Sequence, residues 1–103
     1  MTIISLKVYQ LCSKIPKGKV TTYKDIALAL GVKGYQAVGQ VLKKNPYAPK
    51  VPCHRVVKSD GNIGGFKGKV GEKEIAEKIA MLENEGVTIK DNKIDLDKFG
   101  FKF

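Results

Sequence analysis

The sequence predicts one mainly helical domain organised around a helix-turn-helix, and three observations predict it. Its 103 residues suit a single modest core. Apolar residues recur at helical spacing over about 4–14, 23–30, 34–44 and 72–85. The middle two of these stretches are short and joined by a Gly-containing turn, which is the helix-turn-helix pattern. At 43% hydrophobic residues the chain is too apolar to be disordered, and no apolar run approaches the ~18 residues of a membrane span. Lys7 and Lys14 interrupt the apolar N-terminal stretch, so no signal peptide is expected. The expected location is cytoplasmic, or associated with the nucleoid.

In the first helix Ile4, Val8, Leu11 and Cys12 share one face, with Ile15 just beyond, and Cys12 reads as a core residue. Pro16 and Gly18 break the chain. Thr22 is a natural N-cap, with Asp25 three residues on as an approximate capping box. The second helix then runs from Tyr23 to Leu30 and buries Ile26, Ala27 and Leu30, with Gly31 as its C′ residue. The third runs from near Gly34 to Lys44 and buries Val38, Val41 and Leu42 until Asn45-Pro46 ends it. Its outward face carries Gln36, Gln40, Lys43 and Lys44. Gly39 inside it costs about 1 kcal/mol against Ala, so either a neighbouring helix or a bound partner must come close there.

Val51 to Val57 reads as a short strand, and Asp60-Gly61 as a turn. Gly64-Gly65-Phe66-Lys67-Gly68 is a Gly-rich loop that fits neither phosphate-loop pattern. The fourth helix spans about Glu72 to Glu85, with Ile75, Ile79 and Leu82 on its buried stripe, and Gly86 ends it. The tail, with Val87, Ile89, Ile94 and Leu96 around Asp91-Asn92, is a small hairpin or an extended closing segment.

Charge is divided unevenly. Residues 1–70 hold 13 Lys or Arg against two acids, a net of +11, while residues 71–103 hold six Lys against eight acids, a net of −2. The basic part suits a polyanion, most commonly nucleic acid, although lysine-rich solubility gives the same balance. Two cysteines argue against a disulfide scaffold, and two Cys with one His cannot complete a structural zinc site without a carboxylate. No metal or other cofactor is expected.

The sharpest feature is Pro52-Cys53-His54-Arg55, which puts a cysteine beside the only histidine in basic surroundings. A neighbouring base and positive charge are what a thiolate nucleophile needs. On a regular strand, however, adjacent side chains face opposite ways. His54 then serves Cys53 only if the chain bends, as Pro52 allows, or through a water. A buried structural Cys beside a surface His is the alternative.

VPCHRVV, preceded by IPKGKVTTYKDIA and AVGQVLKKNP and followed by GGF and a helix ending ENEG, resembles the O6-alkylguanine-DNA alkyltransferases, over about Val8 to Gly86. The similarity is to their C-terminal catalytic and DNA-binding domain. It implies a winged helix-turn-helix-like single domain with short strand or wing elements and an extended C-terminal tail. It also implies stoichiometric repair: Cys53 takes the alkyl group from O6 of a flipped guanine and keeps it as a thioether. On the same resemblance His54 is the base that acts through a water, Glu85 orients it, and Asn45 shapes the turn before the active-site strand. Tyr23 assists flipping and donates a proton to the leaving guanine. Val56, Gly64, Gly65 and Phe66 line the base pocket.

The implied partner is duplex DNA bound through the minor groove by a monomer, with no membrane involved. Tyr23, Lys24, Gln36, Gln40, Lys43, Lys44, Arg55 and Ser59 would contact that DNA, and the small Ala37 and Gly39 fit close approach. Three departures stand out. Gln36 replaces the family's arginine that fills the gap left by the flipped base, leaving Tyr35 as another possible wedge. Phe66 replaces a tyrosine, which keeps stacking and loses a hydroxyl. The family's N-terminal domain is expected to be absent. Two other readings stay open: an alkyltransferase-like lesion sensor, whose family lacks the Cys that this chain has, and a winged-helix transcription regulator. If His54 is the base, transfer should slow below about pH 6.

Overall fold

The computed structural model describes residues 3–32, 34, 36–44, 50–65 and 71–103. The chain is mostly helical: α1 (Ile3–Ser13), α2 (Tyr23–Leu30), α3 (Gln36–Lys43), α4 (Glu72–Asn84) and the short α5 (Leu96–Phe99). Four two-residue strands accompany them: β1 (Thr21–Thr22), β2 (Val56–Val57), β3 (Ile89–Lys90) and β4 (Lys93–Ile94). β1 and β2 pair in parallel, Thr21 with Val56 and Thr22 with Val57.

Local chemistry sets the helix ends. Thr22 Oγ1 accepts from the Asp25 N–H at 3.0 Å, the cap read from sequence, worth about 1 kcal/mol. At the other end of α2, Gly31 takes a left-handed φ of 74°, and the Gly31 and Val32 N–H groups donate back to Leu28 and Ala27. α4 ends the same way: Gly86 (φ 94°) donates to Glu83 and Val87 to Leu82. This double bond is the Schellman closure, completed by the apolar pair Val87 and Leu82 in one core.

Two cores lie on either side of β2. Val8, Tyr9, Cys12, Ile15, Ile26, Ala27, Val38, Leu42 and Val56 pack α1, α2 and α3 together. Val20, Val57, Ile63, Leu82, Val87, Ile94 and Phe99 pack α4 and the tail. Successive strand side chains point opposite ways, so Val56 enters the first core and Val57 the second.

Some expectations are corrected. Ile4 is 45% exposed rather than on the buried stripe, because α1 buries only the narrower face through Val8 and Cys12. The expected strand over Val51–Val57 survives only as β2, for a reason given below. The tail is a hairpin with Asp91 (φ 52°) and Asn92 (φ 59°) at its turn, the left-handed pair that a two-residue hairpin loop demands. It then forms α5 instead of staying extended. Its end is stitched to the chain before β1 by Val20 N–H to Phe99 C=O (2.9 Å) and Phe101 N–H to Val20 C=O (2.7 Å).

Candidate active site

Pro52 determines how the reactive residues are presented. Its φ of −81° and ψ of 70°, with the Cys53 N–H donating to the Val51 C=O at 2.8 Å, make an inverse γ-turn. Cys53–Arg55 then form one 3₁₀ turn. These short-range bonds consume the backbone groups a strand would need for pairing. With three residues per turn, His54 is no longer forced to the face opposite Cys53. Cys53 is half-buried and His54 is buried.

Glu85 reaches this turn from the end of α4. His54 Nε2 lies 3.0 Å from Glu85 Oε2. A carboxylate only accepts, so the proton sits on Nε2 and the Nδ1 lone pair is left free. His54 Nδ1 is buried and has no hydrogen-bond partner among the described residues. Burial holds the His54 pKa below the ordinary 6.5; hydrogen bonding and charge from Glu85 oppose it, while Arg55 and Lys78 push the same way as burial. Burial alone would raise the Glu85 pKa, but the hydrogen bonds from Arg55 and His54 outweigh it and hold it below the usual carboxylate range.

Arg55 was expected at the DNA surface and turns inward instead. Its Nε donates to Glu85 Oε1 at 2.9 Å, Nη2 to Glu85 Oε2 at 2.7 Å and Nη1 to the Ile15 C=O at 2.8 Å. A paired carboxylate and a free carbonyl offer the guanidinium more than open solvent does.

Tyr23, the first residue of α2, is half-buried and packs with Cys53 against the first core. Burial raises its pKa, and the neighbouring Cys53 and Cys12 thiols add to this, so the phenol keeps its proton to donate. A cleft of about 410 Å³ opens beside it, lined by Tyr23, Lys24, Lys58, Ser59 and Asp60. Lys24, Gln36, Gln40, Lys43, Lys44 and Ser59 are exposed. A Cβ built on Gly39 would meet nothing within 4 Å, so packing on a neighbouring helix does not require that glycine. Val56 is fully buried in the first core rather than lining a pocket. Gly64 and Gly65 are half-buried, whereas Asn45, Phe66 and Tyr35 lie outside the described residues.

Lys78 is the residue that sequence reading missed. It is fully buried in α4, and its ammonium donates to the carbonyls of Val56 (2.8 Å), Ile63 (2.6 Å) and Gly65 (3.0 Å). Burial pulls its pKa down to about 7, with the Cys53 thiolate acting the other way. Its spacing held the signal: Ile75, Lys78 and Leu82 fall on one i, i+3, i+7 stripe. Among the described residues no three His, Cys, Asp or Glu side chains cluster as metal ligands do.

Residues 4–87 match the family model described as the DNA-binding domain of 6-O-methylguanine DNA methyltransferase. A bifunctional methyltransferase/endonuclease of Picrophilus torridus is 44% identical over 94 residues, 90% of this chain and 30% of that protein. A methylated-DNA–protein-cysteine methyltransferase of Saccharolobus islandicus is 48% identical over 84 residues, 82% of this chain and 51% of that protein. The chain thus spans about a third to a half of the length of these curated relatives. The crystal structure of S. pombe Atl1 in complex with damaged DNA containing O6-carboxymethylguanine superposes with a TM-score of 0.85 at 33% identity, covering 100% of both chains.

Proposed function

Because this chain belongs to the 6-O-methylguanine DNA methyltransferase family, matching its DNA-binding domain, we propose that it reverses O6-alkylation of guanine in duplex DNA by taking the alkyl group onto Cys53. The observation that carries this reading is the His54–Glu85 pair at 3.0 Å, with Nδ1 left free, one residue from a half-buried cysteine. That is a nucleophile, a base and an orienting carboxylate in sequence.

In the proposed step His54 Nδ1 accepts the Cys53 thiol proton through a water. The thiolate sulfur attacks the alkyl carbon, a C–S bond forms and the C–O6 bond breaks, leaving its electron pair on guanine. Tyr23 donates its phenolic proton to the guanine and is reprotonated from solvent. The thioether has no leaving group to return, so each molecule acts once. The target atom is out of reach inside the stack, so the nucleotide must flip. The cleft beside Tyr23 supports this, and exposed Lys24, Lys43 and Lys44 suit phosphate contacts, with Gln36 and Gln40 on the helix that ends at Lys43.

The full-length superposition on Atl1 favours a second reading, lesion binding without transfer. Intact-protein mass spectrometry after incubation with a duplex carrying one O6-methylguanine separates them. A gain of one methyl group, mapped to Cys53, is the expected result. Lesion-dependent binding at unchanged mass would make the protein a sensor. Absence of lesion preference would return it to the class of sequence-reading regulators.

The transfer rate should also fall on acidification as His54 takes up a proton and ceases to be a base. Because the folded His54 pKa lies below 6.5, the midpoint of this acid limb should fall below that of an ordinary imidazole. Single-turnover rates across pH 4.5–8 check this. A limb centred above pH 6.5, or none, removes His54 from the role.

A further inference from the structure

Arg55 lies in a basic stretch with Lys50 and Lys58, where a solvated phosphate contact would be the ordinary expectation. Its side chain is only 16% exposed, and all three guanidinium nitrogens are bound inward. We propose that Arg55 is a positioning residue for the transfer, fixing the Glu85 carboxylate in one orientation and dividing it with His54 so that the imidazole stays a neutral base. This rests on the reading that His54 deprotonates Cys53.

The geometry gives Arg55 two tasks. First, Glu85 ends a helix and its side chain is free to rotate. Arg55 grips both carboxylate oxygens, at 2.9 and 2.7 Å, and braces against the Ile15 carbonyl at 2.8 Å. The Glu85 orientation is therefore fixed from the loop after α1, from the 3₁₀ turn and from α4 together. Second, Oε2 accepts from both Arg55 Nη2 and His54 Nε2. A carboxylate facing a histidine alone favours the imidazolium, which has no lone pair for a thiol proton. A carboxylate shared with a guanidinium orients the ring with less of that bias, and the Arg55 charge itself lowers the His54 pKa. Lysine, a point charge with no planar fork, could supply the charge but not both grips. The charged and titratable groups about His54 are Glu85, Arg55 and Lys78, the adjacent Cys53, and Lys17, which lines the same surface cleft as His54, Arg55, Met81, Asn84 and Glu85.

The chain has one histidine, so an NMR titration reads His54 alone, without any transfer. In R55M the His54 titration should move up by about one pH unit or more, as expected when a carboxylate is left unshared. The acid limb of the single-turnover rate should move with it. In R55K the shift should be smaller, with a lower rate at every pH from lost orientation. In an E85Q background the Arg55→Met change should no longer raise the titration, because no carboxylate remains to be unshared. An unmoved titration in R55M and R55K, or an R55M rate that drops equally at all pH with its acid limb in place, would overturn the proposal and leave Arg55 a structural tie. If R55M does not fold, R55K still decides: an upward shift of its His54 titration supports the proposal and an unmoved one overturns it. Failure of the parent reading looks different: unmodified protein would then show no mass gain, or a rate indifferent to His54 protonation, whatever Arg55 does.

Discussion

Cys53→Ala is expected to abolish the proposed alkyl uptake completely while leaving most of the affinity for lesion-containing duplex. No other group can replace the sulfur. Cys12, the one other thiol, is fully buried, and burial, with Cys53 adding to it, pushes its pKa up to about 12. It therefore offers neither access nor thiolate. The groups proposed to grip DNA lie on α3 and around the Tyr23 cleft, and losing one sulfur leaves them untouched. Intact mass and lesion binding, measured on the same preparation, check both halves. Methyl transfer to Cys12 in the variant, or loss of lesion binding together with transfer, would refute this account.

Lys78→Ala produces the largest loss of stability. The substitution removes only one side of the interaction, because the Val56, Ile63 and Gly65 carbonyls stay where they are. Each buried acceptor left without a donor costs about 1–3 kcal/mol. Against this, a buried charge with an unfavourable desolvation is also removed. A net loss of about 3 kcal/mol follows, or about 12–24 °C in Tm for a domain of this size. Lys78→Met, which keeps the stem volume but donates nothing, should fall almost as far. Thermal melts of the three proteins decide. Recovery in the methionine variant would mean that packing and not hydrogen bonding sets the effect. The same three bonds hold β2 to the glycine-rich loop, so lesion preference should decline at temperatures where the variants are still folded.

Much of this was legible in the sequence, and the boundary follows the range of the forces involved. The limits of α2, its Thr22 cap and its Gly31 closure depend on neighbours within five residues, and they were read as they stand. Around Asp91-Asn92 the sequence leaves a hairpin and an extended segment both open, and the hairpin is what forms. The PCHRV motif was read as marking the alkyltransferase family, and the match over residues 4–87 bears that out. The errors involve partners distant in sequence. Arg55 carries a surface charge on paper, and Glu85, 30 residues on, together with the Ile15 carbonyl, 40 residues back, turns it inward. Lys78 is polar by composition, and only the carbonyls of β2 and its following loop make burial tolerable. The strand at Val51–Val57 failed for the opposite reason: apolar residues outvoted Pro52, whose γ-turn is local and readable.

The division of β2 between two interiors bears on how such a chain can be rearranged. Val56 completes one core and Val57 the other, with the reactive turn immediately before them. Cutting the chain between the two valines would take Val20, a member of the second core, away with the N-terminal fragment. A permuted chain that opens here would keep Val20 and both valines but would lose the peptide bond that ties the two interiors together.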